Sequence, residues 1–205
     1  MTKLNEKTRN PIVKRQRATD EGCLNDLKNE LPLFFNAFED ACDNYNNEIV
    51  LTPPESRCRG FEASLFNSKL IQGIQKYFPK NWKYGKYKRF ILNTHGYLVL
   101  FKKLNNKGMP MNIRTKIVES INLQMMNSLF GSFDFVDEPI LYFGYKKDRI
   151  GNIYQPQLVY IDENQVKWTI IESDLSKPIA VGIGKPSEDV AMPKLKNAIK
   201  KAVNE

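Results

Sequence analysis

The stretch Tyr87-Lys88-Arg89-Phe90-Ile91-Leu92-Asn93-Thr94-His95-Gly96-Tyr97-Leu98-Val99-Leu100-Phe101 decides the fold class. Two short apolar runs, Tyr87 to Leu92 and Tyr97 to Phe101, flank a polar break that ends in glycine. This is the pattern of a β-hairpin, whose turn needs a backbone conformation that glycine adopts at little cost.

On the N-terminal side the period changes. Leu24, Leu27, Leu31, Phe34, Phe35, Phe38, Ala41, Cys42 and Tyr45 recur every three or four residues, the stripe of an amphipathic helix. Pro32 fits only a first turn, so the stripe predicts a short helix followed by a longer one from about Leu31. Thr52-Pro53-Pro54-Glu55 breaks the chain, and Phe61 to Tyr77 reads as a second long helix with Leu65, Leu70, Ile71 and Ile74 inward.

On the C-terminal side, Pro110 and Asn112 open a helix carried by the Ile113, Ile117, Ile121, Met125, Leu129 ladder and closed by Gly131. Strands are expected at Ile140 to Lys146, Leu158 to Ile161 and Val166 to Ile171, with turns at 148–151 and 162–165. A last helix is expected over Val190 to Val203. The fold class is therefore α+β: a mainly antiparallel sheet of about five strands with helices packed on it, in the order αα–ββ–α–βββ–α. Residues 1–20 read as a flexible basic arm, with Arg9, Lys14, Arg15 and Arg17 against Glu6, and 21–205 as a single domain.

Composition narrows the class. The chain has 205 residues, 41% apolar and 26% charged, with 12 Phe, 9 Tyr and 2 Trp, enough large side chains to close one core and too many for a disordered polymer. Cys23, Cys42 and Cys58 are an odd set without a C-x-x-C pair, which points to a reducing compartment. With no secretory signal or membrane-length apolar run, the expected location is the cytoplasm, with no membrane partner. Lysine and asparagine bias points to an A/T-rich bacterial or phage genome.

The net charge of +8 is concentrated. Between Glu62 and Glu119 there is no acidic residue, yet the interval holds twelve cations and sums to +12, leaving −4 for the rest. A concentrated excess creates a local field where a diffuse one only aids solubility. Upstream, Asp20, Glu21, Asp26, Glu30, Glu39, Asp40, Asp43 and Glu48 face only Lys28, so an acidic helical region precedes the basic one and could cover it.

Within the interval, residues 76–90 alternate six cations with six aromatic rings, the mixture with which single-strand binders hold phosphates and stack bases. The same alternation also describes any half-buried strand. The expected nucleic-acid surface, 76–116, comprises Lys80, Trp82, Lys83, Tyr84, Lys86, Lys88, Arg89, Lys102, Lys103, Lys107, Arg114 and Lys116. The 101–108 loop is expected beside Lys83 and Lys86. Arg114 and Lys116 are placed at a helix start able to attract an anion, with Asn112 as the competing cap.

Other motifs carry less. His95 is the only histidine, which removes two-histidine metal sites, and it reads as a polar turn residue. Gly182-Ile183-Gly184-Lys185 is followed by Pro186 where a phosphate-binding loop needs Ser or Thr. A magnesium nuclease would need Asp137, Glu138, Asp162 and Glu172 to converge, and the chain contains no Glu-x-Lys. No catalytic residue, metal set or cofactor is assigned. The resulting expectation is a non-enzymatic binding protein for DNA or RNA backbones, of low sequence specificity because lysine outnumbers the bidentate arginine that reads bases. The alternatives are a metal-dependent nuclease or toxin, and an inhibitor- or antitoxin-like module for an acidic protein partner.

Overall fold

The computed structural model describes residues 13–126 and 137–176. Thr19 accepts a hydrogen bond from the Gly22 N–H and starts α1 (Asp20–Asp26), and Pro32 sits in the first turn of α2 (Leu31–Ile49). After the proline break comes α3 (Phe61–Tyr77). The strands are β1 (Trp82–Tyr84), β2 (Phe90–Thr94), β3 (Tyr97–Lys103), β4 (Ile140–Lys147), β5 (Ile153–Asp162) and β6 (Gln165–Ile171), with α4 (Lys116–Asn122) between β3 and β4. They form one sheet in the order β1-β2-β3-β4-β5-β6.

The class is α+β as expected, but the sheet has six strands and is mixed. The extra strand, β1, is three residues long and pairs with β2 through Trp82–Leu92, Lys83–Ile91 and Tyr84–Phe90. The β3–β4 pair is parallel, Leu98 opposite Ile140 through Lys103 opposite Tyr145. A hairpin cannot join parallel strands, so the chain between them must cross over, and α4 belongs to that crossover. At the β2–β3 turn His95 and Gly96 both have positive φ, 47° and 77°, the geometry that two-residue hairpin loops require.

One sheet face carries the larger core. Phe34, Phe35, Phe38 and Ala41 of α2 and Phe66, Leu70 and Ile74 of α3 close over Phe90, Leu92, Val99, Phe101, Leu141, Phe143 and Tyr145. Phe34 stands at its centre, 4.9 Å from Phe78 and 5.3 Å from Phe143 between ring centroids. The helices approach closely at Gly73, where a Cβ would lie 2.6 Å from the Ala37 carbonyl oxygen. The second face buries Ile91, Leu98, Leu100, Ile140, Tyr142, Val159 and Ile161 with Leu104 and Ile121.

The helix expected over 113–130 spans Lys116–Asn122 in the described part. Its end is set by tertiary bonding: Gln124 turns to φ 50°, and its buried amide donates to the Ile140 and Ile161 carbonyls and accepts from the Ile140 N–H. Ile113, the first rung of the ladder, is 86% exposed. Two cations of the 1–20 segment are tied to the fold. Arg15 is buried, its Nη1 donating to the Glu138 carbonyl and its Nε to that of Met125, while Lys14 pairs with Asp162 at 3.0 Å. Residues 1–12, the glycine loop at 182–185 and the expected last helix lie outside the described residues.

Candidate nucleic-acid interface

Strand pleating sends alternate side chains to opposite faces, and this divides the aromatic–basic stretch. Trp82 and Tyr84 turn to the helix-covered face, where Trp82 stacks on Phe90 with centroids 5.8 Å apart and Tyr84 meets Phe90 edge-on at 5.6 Å. Trp82 packs against the core, and Tyr84 stays 54% exposed at its border. Lys83, opposite Ile91, belongs to the second face, as do Arg89 and Lys102. Cations and rings that alternate in sequence are thus largely separated in space.

The tip of the β1–β2 hairpin is the exception. It closes with the Gly85 N–H donating to the Arg89 carbonyl at 2.8 Å and leaves Lys86, Tyr87 and Lys88 exposed. Tyr87 is 79% exposed, and both Tyr87 (φ 59°) and Lys88 (φ 53°) are left-handed. That conformation costs a side chain with a Cβ roughly 1 kcal/mol or more, and no burial of the ring offsets it. Here one ring stands among cations, as stacking on a base flanked by phosphates would require.

Beside the tip, Arg89, which immediately precedes β2, lies close enough to Lys102 of β3 for its charge to act on that ammonium. Burial first, and then the Arg89 charge, hold the Lys102 ammonium below its usual pKa. Neither side chain has an acidic partner among the described residues. Lys80 stands exposed at the other end of β1, so the cations line the sheet edge from Lys80 through Lys83 to Lys86 and Lys88.

Four expected members lie elsewhere. Lys103 points to the opposite face from Lys102, into a cleft beside α3. Lys107 sits on a turn that folds back across the second face, where Gly108 approaches Val166 and Gln157. Those residues lie on β6 and β5, at least four strand spacings or roughly 19 Å from β1. The loop therefore does not join Lys83 and Lys86. The crossover must pass β4, and Gly144 lets it, since a Cβ there would lie 2.5 Å from both Leu104 Cγ and the Lys102 carbonyl. Arg114 and Lys116 are exposed at the start of α4, but that helix has only seven residues and Thr115, not Asn112, caps it by accepting from the Val118 N–H at 3.2 Å.

The acidic helices do not cover this edge. Asp40 and Glu48 of α2 pair with Lys76 and Lys69 of α3, and Glu30 reaches His95 at 2.7 Å. They neutralise the α3 part of the acid-free interval, whereas Lys80, Lys86, Lys88 and Arg89 have no acidic partner among the described residues. Nor do the acids converge as a metal centre would need. Asp162 is engaged by Lys14, and among the described residues no three His, Cys, Asp or Glu side chains form a group able to hold a metal ion. No helix among the described residues is long and apolar enough to cross a membrane.

The fold and this edge define an α+β protein on a six-stranded mixed sheet with one strongly cationic rim. Comparisons with protein-family models, curated proteins and solved structures gave no match.

Proposed function

We propose that this chain is a non-enzymatic nucleic-acid-associated binding protein that contacts DNA or RNA backbones through the β1–β2 edge, in the setting of bacterial or phage regulation or defence. One observation carries the reading. In the acid-free interval the helix lysines Lys69 and Lys76 have acidic partners, whereas Lys80, Lys86, Lys88, Arg89 and Lys102 have none among the described residues. Unmatched cations held in a row raise the local potential, which phosphates relieve by releasing counterions. The exposed Tyr87 supplies one stacking face. Lysine as the main cation favours backbone contact over base reading, so affinity varies little with sequence.

The test is binding of labelled single- and double-stranded DNA and RNA across a salt series, with magnesium in half the samples. Wild type is compared with Lys83→Glu/Lys86→Glu/Lys102→Glu. The expected result is steep salt dependence whose log–log slope falls by about 2 to 3 in the variant, with probes intact throughout. Weak binding that the variant retains would discard the reading in favour of an acidic protein partner, and magnesium-dependent cleavage would favour a nuclease.

A further inference from the structure

A second cationic feature lies on the opposite sheet face. It is a cleft of about 440 Å³ between the loop before α3, the start of α3 and the ends of β3, β4 and β5. Arg57, Lys103 and Lys147 line it, above a floor that includes Phe66, Tyr145 and Ile153.

The cations are presented differently. Arg57 is fixed by its own neighbourhood, Nε donating to the Thr52 carbonyl and Nη2 to that of Ile49, each at 2.9 Å. Its Nη1 reaches Glu62 Oε1 at 3.3 Å, and Lys147 Nζ reaches Glu62 Oε2 at 2.6 Å. Glu62 is therefore the counter-ion of two cations at once. Asp148 also lines the cleft, but its oxygens accept from Gly151 N–H and from the backbone and side-chain nitrogens of Asn152. Lys103 has no acidic partner among the described residues. The walls thus hold three cations against two carboxylates, of which Glu62 alone pairs with the cations, and that carboxylate is 39% exposed.

We infer that this cleft binds a phosphomonoester of about mononucleotide size, its phosphate seated on Lys103, Lys147 and Arg57 in competition with Glu62. A preset guanidinium and two ammonium groups match the charge and oxygen geometry of a phosphate, and the volume is within the range of small-ligand sites. The inference is independent of the β1–β2 edge, which lies on other residues.

Isothermal titration calorimetry of the full chain at low salt, with adenosine monophosphate, adenosine and inorganic phosphate as probes, tests it. Saturable binding of adenosine monophosphate but not adenosine is expected, weakened at least tenfold by Lys103→Met and by Lys147→Met. Lys86→Gln/Lys88→Gln, on the hairpin, should bind it as wild type does, which separates this site from the edge. Glu62→Gln removes the internal competitor and should tighten binding several-fold, an effect that loss of structure would not produce. A 5′-phosphorylated dinucleotide distinguishes a strand end from a free nucleotide as the source of the phosphate. Equal binding of adenosine, indifference to Lys103→Met, or weaker binding in Glu62→Gln would each overturn the proposal, as would no saturation at millimolar probe.

Discussion

Helix α3 and the β1–β2 hairpin are neighbours in sequence within one acid-free interval, yet their lysines meet different surroundings. On α3, Lys69 and Lys76 meet Glu48 and Asp40 across the helix pair, above a core centred on Phe34. On the hairpin, Lys86, Lys88 and Arg89 surround an exposed tyrosine in a left-handed turn, and Lys102 is half-buried beside a like charge. A run of cations is thus not one patch. Its meaning is decided by which acids the fold brings to it, and the acidic helix α2 reaches only the first half.

The contrast can be broken most severely from the helix side. Phe34→Ala should cost about 3–5 kcal/mol in urea unfolding, because it empties the centre of the helix-covered core. A hairpin-tip change such as Tyr87→Ala should stay within about 0.5 kcal/mol by the same measurement. A loss between these two is expected from Gln124→Ala, about 1–3 kcal/mol. Three main-chain groups on β4 and β5 lose their partner there, and the segment should gain amide exchange.

Next comes a gain. Lys102→Met should raise the thermal midpoint while weakening oligonucleotide binding, since the fold disfavours that charge and the ligand needs it. A lowered midpoint would mean that the lysine serves the fold. The pH dependence sharpens the same difference and is the smallest effect. The folded pKa of Lys102 lies below its unfolded value, so the folded chain releases that proton first and stability rises as pH climbs through the depressed value towards the unfolded one near 10.4. Asp40 behaves oppositely. The hydrogen bond from Lys76 lowers its pKa, so its contribution is present above the unfolded value and is lost as pH falls through the folded one. Unfolding followed at pH 3–5 in wild type and Asp40→Asn should show a larger acid-side loss in wild type than in the variant.

Much of the fold was legible in the sequence because periodicity reports local geometry. The 61–77 helix matches its apolar spacing to the residue, and both two-residue turns fall within the polar breaks. What was illegible depends on partners distant in sequence. A three-residue strand has no measurable period, so β1 emerges only from its pairing with β2. The β3–β4 direction follows from the crossover, and α4 stops where Gln124 is claimed by two strands. The edge site was legible as charge, but separating Lys102 from Lys103 requires the register of β3. The Glu62 cleft was not legible at all, since Arg57, Lys103 and Lys147 stand more than forty positions apart and carry no common motif.

The most direct measurement compares two charge-matched variants, Lys86→Gln/Lys88→Gln on the hairpin and Lys69→Gln/Lys76→Gln on α3, for affinity to a labelled single-stranded oligonucleotide over a salt series. Each removes two positive charges. The account predicts that the hairpin variant loses affinity at least tenfold at low salt, with a slope shallower by about 1.4, while the α3 variant binds as wild type does. Equal weakening in both would show that only net charge matters, and would contradict the assignment of the β1–β2 edge as the binding surface.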